Sequence, residues 1–411
     1  MNSPLPSLTS YGRQWIDDED VEKVVGVLRS DRLTQGAVVG EFERDLARKV
    51  GAPYAVACSS GTAALHLAAL SLGVNSEHFV IVPSVTFIAT ANTMRLVGAE
   101  IIIADVDPLS GLMRVSDVED AISRALTRYG SEKRLSTIVP VHLNGQCEDM
   151  YALSELANQK NCTIIEDACH ALGASYRAQD QAAARIGSCH DSNVATFSFH
   201  PVKTIAMGEG GAVTTNDKEL YQRALMHRNH GISRDPALFR YQDLATNETG
   251  SLNPWYYEMH ELGLNYRASD IHCALGVSQL KKLQKFVDER NRLVTLYDKK
   301  LLSLDKRITP IKKRNGCNPA WHLYPVLVDF SDFGTTRSDV MRRLQIQGIG
   351  SQVHYLPLHF QPYYRERYGD IRLPGAEEYY QKVLSLPLFY GLQEAQIDMV
   401  IETLLNILVR S

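Results

Sequence analysis

Short apolar runs alternate with segments of helical spacing along the first two thirds of the chain. The runs are rich in Ile and Val and read YAVACSS, FVIVPS, EIIIADVD, TIVPVHLNG and CTIIEDA, while TAALHLAALSLG, FIATANTMRLVG and EDMYALSELANQKN have the spacing of helices. Continuous apolar strands separated by helices are typical of a mostly parallel sheet that is buried on both faces. We therefore predict an α/β fold in which helices cover a mostly parallel central sheet.

The pattern changes after residue 275. A long amphipathic helix is predicted over SQLKKLQKFVDERNRLVTLYDKKLLSL, strands over NPAWHLYPVLVDF and IGSQVHYLPL, and helices over DVMRRLQIQG and EAQIDMVIETLLNILVR. At the other end of the chain, IDDEDVEKVVGVLRS predicts a first helix with Asp17 as its cap. We expect a large ligand-binding domain over residues 1–280 and a smaller C-terminal α+β domain over 281–411.

Charge and cysteine content exclude several functional classes. The net charge is −4 and no basic tract is interleaved with aromatic residues, so we expect no nucleic-acid partner. The N-terminus lacks a signal-peptide pattern, and no run reaches the ~20 apolar residues of a membrane helix. Seven scattered cysteines without a CxxC pair indicate mostly buried free thiols in a reducing compartment. We predict a cytoplasmic protein with neither a membrane anchor nor a metal site.

Three segments that follow predicted strands carry groups suited to chemistry, because ligands of open α/β sheets lie at the carboxyl ends of the strands. The first is CSSGTAAL, in which a helix is predicted to begin at Thr62. The free N–H groups of a helix start, together with the nearby hydroxyls, suit a phosphate. A plain helix cap is the alternative interpretation.

The second segment is IIEDACHALGA. Alternation along the strand sends Glu166 and Asp167 to opposite faces, and a buried carboxylate is costly without a partner. The partner of the acid could be the protonated ring nitrogen of a cofactor, or the acid could simply cap a helix. His170, three residues further on, could orient a cofactor or pack in the core.

The third segment is FSFHPVKTIAMGEGG, which contains Lys203. A lysine in a pocket of low polarity has a lowered pKa and can form a Schiff base with an aldehyde, whereas an ordinary solvated lysine cannot. Ser198, five residues earlier, could reach a phosphate of the same ligand. A phosphate, a ring nitrogen and an aldehyde together describe pyridoxal 5'-phosphate, which we predict as the cofactor.

The chain resembles the DegT/DnrJ/EryC1/StrS family of sugar aminotransferases over about residues 8–405. The motifs that carry the resemblance are SDRLTQG, SSGTAAL, SVTFIATANTM, EDACHALGA, FSFHPVKTIAMGEGGAVTTND, RNHGI, LGLNYRASDIHCALGVSQLKKL and SLPLF. The resemblance implies the aspartate-aminotransferase fold, which is fold type I of the pyridoxal-phosphate enzymes. HLYPVLV and GIGSQVHYLPLH are similar to the subgroup that uses L-glutamate to aminate carbon 4 of UDP-2-acetamido-2,6-dideoxy-β-L-arabino-hexos-4-ulose in pseudaminic acid synthesis.

The resemblance also implies roles for individual residues around the cofactor. Lys203 would form the Schiff base and carry the proton between carbons, Asp167 would keep the pyridine nitrogen protonated, and His170 would lie near the ring or its hydroxyl. The remaining implied cofactor contacts are Gly61, Thr62 and Ser198 at the phosphate, Phe87 stacked on the ring, and Asn265 at the phosphate of a neighbouring subunit's cofactor. A homodimer with shared active sites is therefore expected.

Further positions match residues that meet the nucleotide sugar in this family. They are polar or aromatic, and they are Tyr11, Asp31, Arg32, Leu33, Thr34, Tyr266, His354 and Tyr355. The chain departs from the subgroup at residues 231–260, which form a polar and aromatic loop longer than the family pattern. This loop leaves the identity of the sugar substrate undecided. The alternatives are another 4-keto or 3-keto sugar linked to dTDP or GDP, a sugar dehydratase, which Lys203 argues against, and a non-catalytic sensor of nucleotide sugars.

Overall fold

The computed structural model describes residues 9–130, 134–178, 183–302 and 304–409. Its strands are β1 (Tyr54–Cys58), β2 (His78–Pro83), β3 (Glu100–Ala104), β4 (Arg134–Ile138), β5 (Thr163–Asp167), β6 (Ser175–Arg177), β7 (Ala183–Arg185), β8 (Val194–Ser198), β9 (Gly211–Thr215), β10 (Ile232–Ser233), β11 (Glu258–Met259), β12 (Ile308–Pro310), β13 (Cys317–Asn318), β14 (Tyr324–Val328) and β15 (Val383–Leu386). Its helices are α1 (Asp18–Leu28), α2 (Ala37–Val50), α3 (Gly61–Ser71), α4 (Ala89–Leu96), α5 (Val115–Tyr129), α6 (Met150–Gln159), α7 (Lys218–Arg228), α8 (Gln242–Ala245), α9 (Asp270–Lys281), α10 (Leu283–Leu301), α11 (Arg337–Ile346), α12 (Pro362–Tyr368), α13 (Pro374–Lys382) and α14 (Glu394–Val409).

The main sheet has the strand order β1-β9-β8-β5-β4-β2-β3. Neighbouring strands from β8 to β3 are parallel, whereas β9 is antiparallel to both β1 and β8. Every residue of β2 is buried, as expected for a strand that helices cover on both faces. The sequence-based prediction of a mostly parallel, helix-covered sheet is therefore confirmed.

Two predicted helices have the expected character. The first, α1, is capped by Asp17, whose side chain accepts a hydrogen bond from the main-chain N–H of Asp20 while Asp20 reciprocates. The second, α3, is buried along most of its length because its sequence GTAALHLAALS carries small and apolar residues all round. It lies against β8 and β9 and places its N-terminus beside the strand ends.

The predicted long helix over residues 278–304 is wrong as a single element. It is divided between α9 and α10, which meet at Lys282. The two helices pack on different neighbours, α9 on α1 and α2, and α10 on α14 and β12. Lys282 sits at the junction and forms ion pairs with Asp17 and Asp20 at the start of α1, which fixes the break.

The predicted strand IGSQVHYLPL is also wrong. Residues 349–358 make only isolated bridges, from Ile349 to Thr9 and from Gln352 to Ser385, and the main-chain N–H of Leu358 donates to Ser84. The backbone is shared among three different partners, so no regular ladder can form.

The predicted strand NPAWHLYPVLVDF forms regular strand structure in two places only, at Asn318, the second residue of β13, and along β14. Strand β14 is the centre of the three-stranded sheet β12-β14-β15. The same C-terminal region pairs with the N-terminal one, because β13 is hydrogen-bonded to β6. The division of the chain at residue 280 stays a prediction.

The segment 231–260 is built from short elements rather than one plain loop. Strands β10 and β11 pair with each other, and α8 lies between them. The carboxylate of Glu258 accepts hydrogen bonds from the main-chain N–H groups of Arg240 and Tyr241 and from the hydroxyl of Tyr256. Within the described residues, no helix is both long and apolar enough to cross a membrane.

Candidate active site

A cavity of about 550 Å³ opens at the carboxyl ends of the parallel strands. Its walls come from the residues after β1, β2, β5 and β8 and from the chain at 352–355. Ten of the residues singled out from the sequence line it: Tyr11, Gly61, Thr62, Phe87, Asp167, His170, Ser198, Lys203, His354 and Tyr355. Segments far apart in the chain thus meet at one edge of the sheet, where α/β proteins bind their ligands.

One end of the cavity is the N-terminus of α3, which begins at Gly61, one residue before the predicted start. Ser60 caps the helix by accepting a hydrogen bond from the N–H of Ala63. A Cβ at Gly61 would lie 2.7 Å from the Cβ of Ser198, so only glycine allows the helix start and the end of β8 to come this close. Free helical N–H groups and the Ser198 hydroxyl therefore border the same space, a combination suited to a phosphate.

The acid at the end of β5 has the predicted orientation. Glu166 turns away from the cavity and pairs with the Ser192 hydroxyl and with Nε2 of His142, at 2.8 Å. Asp167 faces the cavity, where its carboxylate accepts hydrogen bonds from Thr90 Oγ1, at 2.6 Å, and from the N–H of Cys169. The residues that follow Asp167 form a turn, so the helix-cap interpretation of this acid is wrong.

Lys203 extends into the same cavity as Asp167. Burial lowers the pKa of its amine, opposed by the nearby Cys169 and Asp167. Within the part of the chain that the structure describes, no hydrogen bond or ion pair engages its Nζ. A lysine with a lowered pKa and no partner has the properties of a nucleophilic amine rather than of a solvated surface charge.

Histidines form much of the remaining wall. Nδ1 of His170 accepts a hydrogen bond from the main-chain N–H of Asn144, and its Nε2 lies 3.1 Å from the hydroxyl of Tyr355. Burial and the nearby Lys203 lower the pKa of His170 well below its usual value. The same two causes lower the pKa of His354 to about 3. Both imidazoles are therefore neutral at the pH at which most enzymes work.

Phe87 stands at the mouth of the cavity. Its side chain is 54% exposed, and its ring centroid lies 5.9 Å from that of Tyr355. Phe87 is therefore not an ordinary core aromatic. A large apolar side chain left open to solvent at a cavity mouth is available to pack on a ligand.

Six predicted residues lie outside this cavity. Asp31, Arg32, Leu33 and Thr34 are exposed, Asn265 bridges to Asn229 in the backbone, and the Tyr266 hydroxyl contacts Nδ1 of His66 at 3.1 Å. A single chain therefore does not bring them to Lys203. The expectation that a second copy supplies them stays a prediction.

Several residues of the site were missed by the sequence reasoning. Thr90 bonds Asp167 directly, and His322 lines the cavity with its ring centroid 4.5 Å from that of His170. Thr90 could have been sought, because a buried acid requires a donor and FIATAN supplies one hydroxyl. His322 gave no signal, since it lies within a predicted strand.

Comparison with known proteins identifies a family and several relatives. The model of the DegT/DnrJ/EryC1/StrS aminotransferase family matches residues 14–405. The UDP-4-amino-4,6-dideoxy-N-acetyl-beta-L-altrosamine transaminase of Campylobacter jejuni subsp. jejuni serotype O:23/36 is 34% identical over 401 residues, which cover 98% of each chain. The spore coat polysaccharide biosynthesis protein SpsC of Bacillus subtilis is 34% identical over 400 residues, covering 97% of this chain and 96% of SpsC.

Solved structures are similar over nearly the whole length. Helicobacter pylori PseC, an aminotransferase involved in the biosynthesis of pseudoaminic acid, has a TM-score of 0.84 at 26% identity and covers 98% of this chain and 100% of its own. The pyridoxal-phosphate form of the putative sugar aminotransferase Spr1654 from Streptococcus pneumoniae has a TM-score of 0.83 at 26% identity, with coverages of 98% and 99%.

Proposed function

The chain belongs to the DegT/DnrJ/EryC1/StrS aminotransferase family, and we propose that it transfers the amino group of L-glutamate to carbon 4 of a UDP-linked 4-keto-6-deoxy-N-acetylhexosamine. It is a sugar aminotransferase with the fold type I architecture, and its cofactor is pyridoxal phosphate. The observation that carries the proposal is the meeting of the Lys203 amine with Asp167 and Ser198 in one cavity. The sugar is proposed because two relatives that match over 98% of the chain are named as the altrosamine transaminase.

The residues of the cavity fit pyridoxal phosphate. The close approach of Gly61 and Ser198 leaves a cradle at a helix start for the phosphate, and Asp167 offers a buried carboxylate to the ring nitrogen. Lys203 offers a free amine to the aldehyde. When bound, the cofactor supplies an aldehyde that carries the amino group and a ring that spreads negative charge from the reacting carbon.

Two residues do the proton chemistry in this proposal. Lys203 Nζ takes a proton from the α-carbon of glutamate and later delivers a proton to carbon 4 of the sugar. Its lowered pKa suits both directions, because the neutral amine is the base and the ammonium ion is the acid. Asp167 would hold a proton on the ring nitrogen, and the hydrogen bond from Thr90 fixes the direction of its carboxylate.

The sugar side of the cavity is proposed to hold UDP-2-acetamido-2,6-dideoxy-β-L-arabino-hexos-4-ulose. Tyr11 and His354 stand next to each other there, with ring centroids 5.5 Å apart, and Tyr355 follows His354 in the wall. The exposed Asp31–Thr34 stretch, Tyr266 and Asn265 would reach the site of a second copy, which makes the working unit a homodimer.

The proposal is tested with the purified holoenzyme and a panel of keto sugars. L-Glutamate alone is expected to bleach the visible absorbance of the bound cofactor. Added UDP-linked 4-keto sugar is expected to restore it and to yield a product whose keto oxygen has been replaced by an amino group. An enzyme that bleaches with glutamate but aminates only dTDP-, GDP- or 3-keto sugars would refute the proposed substrate and leave the aminotransferase in place.

A further inference from the structure

The two ring nitrogens of His170 face different partners. The main-chain N–H of Asn144 lies 3.3 Å from Nδ1, and the hydroxyl of Tyr355 lies 3.1 Å from Nε2. A main-chain N–H can only donate, so Nδ1 must be the acceptor in this contact. The environment keeps the imidazole neutral, and a neutral imidazole has one protonated nitrogen. The proton of His170 is therefore on Nε2.

The protonation of His170 determines what Tyr355 can do. Nε2–H donates to the Tyr355 oxygen, so the hydroxyl proton of Tyr355 is not used by His170. Burial, with Asp167 nearby, raises the pKa of Tyr355 well above its usual value, which keeps that proton in place. Tyr355 lines the cavity, where an occupant can accept the proton in a hydrogen bond.

We propose that His170 and Tyr355 form a one-directional hydrogen-bond relay, oriented by the main-chain N–H of Asn144, that makes Tyr355 a donor to an oxygen of the nucleotide sugar. The proposal rests on the proposed function, because it assumes a sugar in the cavity. It assigns Asn144 and His170 as positioning residues for the sugar half of the reaction.

The turn that carries Asn144 is held in place from several sides. Asn144 has φ 62° and ψ 1°, a left-handed conformation that asparagine tolerates better than most residues. Its carbonyl accepts a hydrogen bond from the N–H of His322, and the carbonyl of Gly145 accepts one from Ala320. Gly145 has φ 100°, and a Cβ there would lie 2.0 Å from the carbonyl oxygen of Ala320. The turn therefore points its N–H at His170 in a fixed direction.

The ring of His170 is also fixed from the side. The ring of His322 packs against it with centroids 4.5 Å apart, and the main chain of His322 is bonded at its N–H to Asn144 and at its carbonyl to the buried Arg290. Burial, with His170 and Lys203 nearby, lowers the pKa of His322 well below its usual value, so a neutral ring packs against His170.

The relay is tested by exchanging donors and acceptors at His170. His170→Glu places a carboxylate acceptor beside Tyr355, so Tyr355 would donate to it instead of to the sugar, whereas His170→Gln retains an N–H donor. We expect Tyr355→Phe to raise the KM of the keto sugar about three- to tenfold, the usual effect of one hydrogen bond. His170→Glu should raise it at least as much, and His170→Gln less than His170→Glu.

A double-mutant cycle separates the relay from the added charge of the glutamate. Charge repulsion would weaken sugar binding equally with or without the Tyr355 hydroxyl. In the relay, His170→Glu has a larger effect on the KM of the sugar in the Tyr355 enzyme than in Tyr355→Phe. Additive effects would overturn the proposal, and so would a Tyr355→Phe enzyme that is slower with glutamate while its KM for the sugar is unchanged.

The tautomer itself is measured by NMR of the holoenzyme with ¹⁵N-labelled histidine. The chain has 13 histidines, and the difference from the His170→Gln spectrum identifies the relevant ring. We expect an unprotonated Nδ1 and a protonated Nε2; a protonated Nδ1 would contradict the relay. Bleaching by glutamate is recorded in the same samples, so a failed relay in an active aminotransferase is distinguished from a failure of the proposed function.

Discussion

At the scale of the residue, Asp167 shows how the surroundings of a carboxylate prepare it for one partner. Thr90 donates its single hydroxyl proton to Asp167. In the 2.8 Å contact between the two threonine hydroxyls, Thr86 is therefore the donor and Thr90 the acceptor. Both hydroxyls are buried, and their donors point toward the acid. This arrangement fixes the direction of the carboxylate that would meet a protonated ring nitrogen.

We predict that Thr90→Val weakens cofactor binding. Valine has the shape of threonine but cannot donate to Asp167. Because one hydrogen bond to a charged group is lost, we expect the dissociation constant of the cofactor to be about tenfold larger. Titration of the apo-protein with pyridoxal phosphate measures this constant. Thr93→Val is the matched control, because Thr93 is equally buried on the same helix but donates to the carbonyl of Ala89. Equal affinities for both variants would contradict the role of Thr90.

The sequence is sufficient for residues whose chemistry is unusual in itself. A lysine and a serine at the end of one predicted strand and an acid at the end of another can be assigned to one site from their residue types and order alone. Asn144 and His322 cannot, because each acts through a contact with His170 that lies far along the chain, 26 residues from Asn144 and about 150 from His322. Nothing in the local pattern of either segment specifies that pairing.

At the scale of the element, the break between α9 and α10 depends on Lys282. Its side chain is 13% exposed, and its amine pairs with Asp17 and with Asp20, whose own side chain is fully buried. Periodicity cannot reveal the break, since the apolar spacing continues through it. The prediction of a strand over 349–358 is wrong for a related reason. Alternation of apolar and polar residues cannot show that the backbone there bonds to three different partners.

We predict that Lys282→Met destabilises the protein by about 2 kcal/mol, because Asp20 would remain buried without its cation. Urea unfolding followed by circular dichroism measures the difference. Lys281→Met is the control, as Lys281 is exposed and its replacement should change the free energy of unfolding by less than about 0.5 kcal/mol. Similar losses in the two variants would show that the junction is not held by Lys282.

The segment 231–260 is organised around Glu258, so we predict that Glu258→Ala loosens it without unfolding the rest. Main-chain N–H groups of Arg240 and Tyr241 lose their acceptor in this variant. Hydrogen exchange followed by mass spectrometry should become faster in peptides from 231–260 and stay unchanged in β2. Glu248→Ala, at an exposed position of the same segment, is the control. Exchange that stays slow in Glu258→Ala would contradict the prediction.

At the scale of the whole molecule, the sites are proposed to be shared between two copies. Resemblance alone indicates this, because a monomer gives no physical sign of which surface a second copy covers. The structure is consistent with the proposal in one respect: Asn265 and the 31–34 stretch lie outside the cavity that holds Lys203. The cytoplasmic location and the domain boundary stay predictions as well.

Mixing two inactive variants tests whether two subunits share their active sites. Lys203→Ala and Asn265→Ala subunits are denatured together and refolded, so half of the dimers combine one of each. If the site of one chain uses Asn265 of the other, each mixed dimer has one intact site, and about a quarter of the wild-type activity returns. Without sharing, the mixture is no more active than its two components refolded separately.

The central claim is that the amine of Lys203 performs the proton transfers of a glutamate-dependent amination. The most direct measurement is the amount of aminated UDP-sugar that purified Lys203→Ala forms from glutamate and the 4-keto sugar, relative to the wild type. We predict a loss of at least about 10³-fold, in the range that general acid–base groups contribute, together with loss of the glutamate-bleached absorbance. Product formation at the wild-type rate would contradict the claim.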